Sequence, residues 1–241
     1  MTDPRPAVIE SRLSGIKTIV PVSGGKGGIG KSVVSAGLAL SLARAGRKVG
    51  LLDLDFSSPT QHVILGADLG SFPAEDKGVL PPRVHGIELM TMAYYSRNRP
   101  SPLRGGDFSS AMLELLAVTL WGELDVLVVD MPPGLTDATL DMLRLMRRAK
   151  SLLVTIPSRL ALETLRKMAL MLGELRVETL GGVENMRREP TPLVEDELRS
   201  LGIPCLGSIP FDPGLEAALG DPERLAGTAA MRRLAEISAK I

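Results

Sequence analysis

The chain has 241 residues, 44% of them apolar and 23% charged, which gives enough material for one large α/β layer structure and excludes wholesale disorder. Lys and Arg together number 28, as do Asp and Glu, so the formal charge is zero and the broad basic footprint of a dedicated nucleic-acid binder is absent. A single cysteine, Cys205, rules out a disulfide framework within the chain and fits a reducing cytoplasm.

Residues 1–14 carry charges around two prolines and no apolar run of signal-peptide length, so they are expected to be a flexible N-terminal segment. Strands are expected at 17–22, 48–52, 125–129, 151–156 and 205–209, each a near-continuous branched apolar run of the kind that is buried on both faces. Helical stretches alternate with them. Residues 32–44 are rich in Ala and Leu and end at Ala45-Gly46, while Ala161, Leu165, Met168 and Leu172 make one apolar stripe. Such alternation implies an α/β fold, a mostly parallel central sheet with helices on both faces, in a single domain over 1–241. Ligands in this class lie beyond the carboxyl ends of the strands. The Gly- and Pro-rich stretches 66–86 and 96–107 are expected loops, and 187–192 an irregular connection. Leu234, Ile237 and Ile241, with Arg232, Arg233 and Lys240, form a modest amphipathic helix expected to pack on the sheet. No stretch of membrane-spanning length occurs, and stable membrane insertion is not expected.

The strongest chemical signal follows the first strand: Ser23-Gly24-Gly25-Lys26-Gly27-Gly28-Ile29-Gly30-Lys31-Ser32. Gly25, Gly30, Lys31 and Ser32 fit G-x-x-x-x-G-K-[ST] between a strand and a helix. Glycines let successive backbone N–H groups turn inward around an anion, and the following helix adds the positive end of its dipole. Residues from Gly25 through Gly27, Gly28, Ile29 and Gly30 to Val33 are therefore the expected nucleotide cradle, with Lys31 on the outer phosphates and the Ser32 hydroxyl on Mg²⁺. Lys26 is an additional ammonium inside the glycine run, and it is read as reaching the nucleotide of a second subunit in a face-to-face homodimer.

Strand 48–52 runs into Asp53-Leu54-Asp55 and strand 125–129 into Asp130, which puts three carboxylates at the same sheet edge as the loop. Asp130 is expected to hold the metal through water, Asp53 to support the metal's water shell, and Asp55 to orient the attacking water. Met131-Pro132-Pro133-Gly134-Leu135-Thr136-Asp137, next along the chain, is placed to switch between nucleotide states. His62 and His85 lack ligand spacing, and no Asn-Lys-x-Asp segment supports a guanine nucleotide.

The loop with Lys26 resembles that of the MinD/ParA group of dimeric P-loop ATPases. Lys48-Val49-Gly50-Leu51-Leu52-Asp53-Leu54-Asp55 with Ser58-Pro59, Trp121-Gly122-Glu123-Leu124-Asp125 leading into Asp130-Met131-Pro132-Pro133-Gly134, and Gly182-Val183-Glu184-Asn185-Met186 resemble its Mrp/ApbC branch, the iron–sulfur cluster carriers. The resemblance covers about residues 13–215 and implies ATP and Mg²⁺ as cofactors and an apoprotein or metal-cofactor client. It further implies Asn185 on the adenine edge and Ile209-Pro210-Phe211-Asp212 as a wall of the base pocket. Leu135-Thr136 stands where the family has Thr-Gly, and Val33 where it has Thr. The branch also carries Cys-Pro-x-Cys, through which two subunits share a [4Fe–4S] cluster; here Arg187-Arg188-Glu189-Pro190 stands in its place. Cys205, opening an apolar strand, is expected to be a buried small hydrophobe, so the thiolates for such a cluster are missing. Two functions follow as alternatives: a Mg²⁺-dependent switch ATPase in metal-cofactor handling, or a MinD/ParA-like positioning ATPase whose nucleotide controls attachment to membrane or DNA.

Overall fold

The computed structural model describes residues 3–96 and 106–241. In chain order the elements are α1 (Arg5–Leu13), β1 (Ile16–Ser23), α2 (Lys31–Arg44), β2 (Val49–Asp53), α3 (Gln61–Leu65), β3 (Arg83–Val84), β4 (Ile87–Thr91), α4 (Ala93–Ser96) and α5 (Gly106–Val118). There follow β5 (Leu124–Asp130), α6 (Asp137–Leu145), β6 (Lys150–Thr155), α7 (Arg159–Glu174), β7 (Glu178–Arg187), α8 (Leu193–Ser200), β8 (Cys205–Pro210), α9 (Pro222–Ala226) and α10 (Ala229–Ser238). One sheet of eight strands has the order β3-β4-β2-β5-β1-β6-β7-β8. Every neighbouring pair is parallel except β3 with β4.

The near-continuous apolar runs are explained by alternation. In β5, Leu127 and Val129 enter the core beneath α1, α5, α6, α7 and α8, while Val126 and Val128 enter the core shared with α2 and α10. Helices therefore cover both faces, as the sequence leads one to expect. Helix α2 is buried along most of its length, and the tips of Met231 and Leu234 from α10 occupy the space a side chain at Gly37 would need. The apolar side of α10, including Leu234 and Ile237, is thus spent on packing.

Three sequence expectations are corrected. Residues 5–13 of the segment expected to be flexible form α1, because Ile9 and Leu13 are buried against the α5 and α6 side of the core. Strands β3, β4 and β7 are additional to the five expected, β3 lying within the stretch 66–86 expected to be a loop. Cys205 is exposed rather than buried, since it opens the edge strand β8, where one flank has no neighbouring strand. Its thiol is pushed up, chiefly by partial burial and further by Glu195 and Glu184, against a pull from the Gly207 backbone N–H. Of the expected loop at 96–107, residues 97–105 lie outside the described residues, and Gly106 already begins α5.

Candidate nucleotide site

Strand β1 delivers the chain at the centre of the sheet and α2 takes it up, leaving 24–30 as a loop over the carboxyl edge. Two constraints fix its shape. Gly28 and Gly30 both have φ of 78°, where a side chain is disfavoured, and a Cβ on Gly30 would also stand 2.3 Å from the Asn185 amide nitrogen. Gly25 lies flat on α7, where a Cβ would come within 2.6 Å of the Thr164 carbonyl oxygen. The loop faces a cavity of about 390 Å³ lined by Lys26, Gly27, Gly28, Ile29, Gly30, Lys31, Ser32 and Val33. Asp55, Thr60, Val63, Ile64, Pro133 and Leu219 close its other side.

Parallel pairing of β2 with β5 sets Asp53 directly beside Asp130, and neither is exposed. Lys31 Nζ sits 2.8 Å from Asp130 Oδ1, which also accepts from Ser35 Oγ at 3.2 Å. The Gln61 side-chain amide donates to Asp130 Oδ2 at 2.8 Å and to the Ser32 carbonyl at 3.0 Å. Asp53 accepts from the backbone N–H groups of Asp55 and Gln61 and from Thr91 Oγ1, at 3.1, 3.3 and 3.2 Å. Even so its carboxyl is pushed up to about 8, first by burial and then by the neighbouring Asp130. Asp55 reaches the cavity half-buried, its Oδ1 held by Ser57 Oγ at 2.6 Å and the Ser58 N–H at 3.2 Å.

Lys26 is exposed on the cavity rim and forms no ion pair among the described residues. Asn185 is buried and donates its amide to the Ile29 carbonyl at 2.8 Å, so the end of β7 is tied to the loop. Met186 follows with φ of 55°, a strained value for a non-glycine residue, at the irregularity where β7 and β8 fall out of register. Pro210, Phe211 and Asp212 do not line the same cavity. The Phe211 ring lies under the Arg188 guanidinium at 3.9 Å, and Asp212 Oδ2 accepts the Ala229 and Ala230 N–H groups at the start of α10. The structure thus gathers Lys26, Lys31, Ser32, Asp53, Asp55 and Asp130 at one edge, with Asn185 bound to the back of the loop. The sequence reading gave no role to Gln61, Ser35 or Thr91, and quoted Met186 only within the segment 182–186. Gln61 was legible as the polar residue following Ser58-Pro59-Thr60; the others carry no motif.

These groups fit a magnesium nucleotide. Ser32, Asp53 and Asp130 are hard oxygen donors of the kind Mg²⁺ takes, and among the described residues no three His, Cys, Asp or Glu side chains are arranged to hold a metal by themselves. That combination suits an ion bound through one or two carboxylates together with substrate phosphates. They do not fit a resident iron–sulfur cluster, since the chain has one cysteine and residues 187–190 supply no thiolate.

A strand–glycine loop–helix cradle with Lys31 and two strand-end aspartates on a parallel sheet defines a P-loop NTPase. Residues 15–241 match the family model described as ParA: NUBPL iron-transfer P-loop NTPase, and the chain belongs to that family. It is 44% identical over 177 residues to an iron–sulfur cluster carrier protein from Pseudomonas fragi, an alignment covering 72% of this chain. The chain spans about three fifths, 62%, of that relative's length. Human cytosolic Fe-S cluster assembly factor NUBP2 is 33% identical, with 95% of this chain and 93% of the relative covered. Among solved structures, the nucleotide-binding protein from Archaeoglobus fulgidus in complex with ADP superposes with a TM-score of 0.77 at 30% identity, covering 91% of this chain and 92% of the other.

Proposed function

We propose that the chain is a Mg²⁺-dependent ATPase, dimeric when loaded, whose nucleotide cycle drives the handling of an iron–sulfur or related metal cofactor for an apoprotein client in the cytoplasm. The observation that carries the reading is the glycine cradle and Lys31 lining one cavity, with the buried Asp53–Asp130 pair behind them and Lys31 bonded to Asp130. In the cycle, backbone N–H groups of residues 25–30 hold the phosphates, and Lys31 leaves Asp130 to neutralise their charge. Bound Mg²⁺ would supply Lewis-acid stabilisation, held by Ser32 and, through water, by Asp130 and Asp53. Asp55 orients the attacking water. Lys26 reaches the nucleotide of the facing subunit, and Asn185, at the back of the loop, takes the adenine edge.

The client is met without a Cys-Pro-x-Cys cluster site, so the cluster, where one is handled, is cargo supplied with partner ligands. Attachment to a membrane through α10 finds no support, because Leu234 and Ile237 are buried, and no described helix is long and apolar enough to cross a bilayer. The neutral composition likewise gives no support to DNA attachment. Calorimetry with ATP and Mg²⁺ tests the reading: saturable binding that Lys31→Ala weakens at least about tenfold is expected, from the loss of one charge-assisted contact. No heat of binding with the purified chain would overturn it. With binding established, Lys26→Ala should reduce ATP-dependent dimer in light scattering while leaving the affinity of the monomer for nucleotide within about twofold.

A further inference from the structure

Gln61 opens α3 and is completely buried, which is an unusual place for an amide unless its groups are used. Its Nε2 bridges two structures that flank the nucleotide cavity: the carboxylate Asp130 at the end of β5 and the carbonyl of Ser32 in the first turn of α2. Its backbone N–H holds Asp53 on β2. One residue therefore touches the three segments that carry the expected metal-side oxygens. Its Oε1 is buried with no hydrogen-bond partner among the described residues. Desolvating that oxygen costs free energy, and an aliphatic side chain of the same length would fill the space without the cost.

We infer that Gln61 is a positioning residue that fixes the orientation of Asp130 relative to Ser32, so that the metal site keeps its shape when Lys31 departs for the phosphates. The inference rests on the magnesium-ATPase reading above. With Lys31 gone, Asp130 Oδ1 keeps only the Ser35 hydroxyl, and Oδ2 keeps Gln61. The amide then supplies the remaining strong restraint on the carboxylate, and its free carbonyl oxygen is available to a donor that enters with the metal.

Gln61→Met preserves length and approximate volume, removes both side-chain hydrogen bonds, and leaves the backbone N–H on Asp53. ATP binding is measured by calorimetry in EDTA and again with Mg²⁺. In the wild-type chain Mg²⁺ should strengthen binding. In Gln61→Met the EDTA affinity should stay within about twofold, while the gain on adding Mg²⁺ falls about tenfold, as expected for loss of a hydrogen bond to a charged group. A packing role alone would leave the Mg²⁺-dependent gain unchanged, and a gain within twofold of wild type would overturn the inference. Should Gln61→Met fail to fold by circular dichroism, Gln61→Asn, too short to span both acceptors, is read by the same pair of titrations. A wild-type chain that binds ATP in neither condition would instead remove the ATPase reading itself.

Discussion

Two buried carboxylates side by side on adjoining strands cannot both be charged without cost, and the site resolves this by treating them differently. Asp130 takes the Lys31 ammonium, whereas Asp53 has only neutral donors and is pushed up to about 8. The folded, metal-free chain therefore keeps a proton on Asp53 that the unfolded chain releases near the ordinary value of 3.8. Between about pH 4 and about pH 8 the folded state binds the extra proton, so this residue makes stability fall as pH rises through that window. Urea midpoints measured at about pH 5 and about pH 8 in the absence of metal should decline for the wild type. The decline should be shallower in Asp53→Asn, which has no proton to lose. An equal slope in both proteins would show that Asp53 is charged in the empty site.

At the scale of elements, what the sequence revealed follows from how each segment meets the core. Strands β1, β2, β5, β6 and β8 were legible because both faces of the sheet are covered and their side chains are largely apolar. Strand β7 was not, because its glycines and its polar end serve its neighbours. The Leu198 side chain of α8 fills the space a Cβ at Gly182 would take, and Glu184 and Asn185 are buried polar residues bonded to Ser208 and the phosphate loop. Strand β4 is short and carries Glu88 among its apolar residues, too little for a periodic signal. Helix α1 hid behind Pro4 and Pro6, which look like breakers but sit at and just inside its start, where proline is tolerated. That helix belongs to the core: Ile9 has no exposed surface, so Ile9→Ala should cost about 2–5 kcal/mol, read as a lower urea midpoint. A change below about 0.5 kcal/mol would mean that α1 frays freely from the rest. The phosphate loop was legible because its motif names its residues, and the aspartates because they end two of the expected strands. The Lys31–Asp130 pairing depends on strand register and had no sequence signal, and Gln61, though visible as a polar residue after Ser58-Pro59-Thr60, gave no hint of which groups it would bridge.

At the scale of the molecule, the sheet has two edges, and each is closed to further pairing in its own way. Strand β3 is only two residues long. On the opposite edge, Lys240 Nζ and Arg233 Nε donate to the β8 carbonyls of Leu206 and Ser208 at 2.7 and 3.2 Å, so side chains stand where a further strand would bond. Joint replacement of Arg233 and Lys240 by Ala should leave the helices intact by circular dichroism yet produce concentration-dependent self-association in light scattering. A monodisperse double variant would show that the edge needs no such cover. The contact between Lys31 and Asp130 also reaches beyond its own site. On the proposed reading, an ammonium that would meet an incoming polyanion rests on the carboxylate that would meet the incoming cation, and each guest, on arrival, would free the host group of the other. Lifting the lysine leaves adjoining acids in want of positive charge; a divalent ion on those acids sets the lysine loose. By reciprocity the two guests would then raise each other's affinity by the same factor, so the pocket would answer to the pair in a way it answers to neither alone.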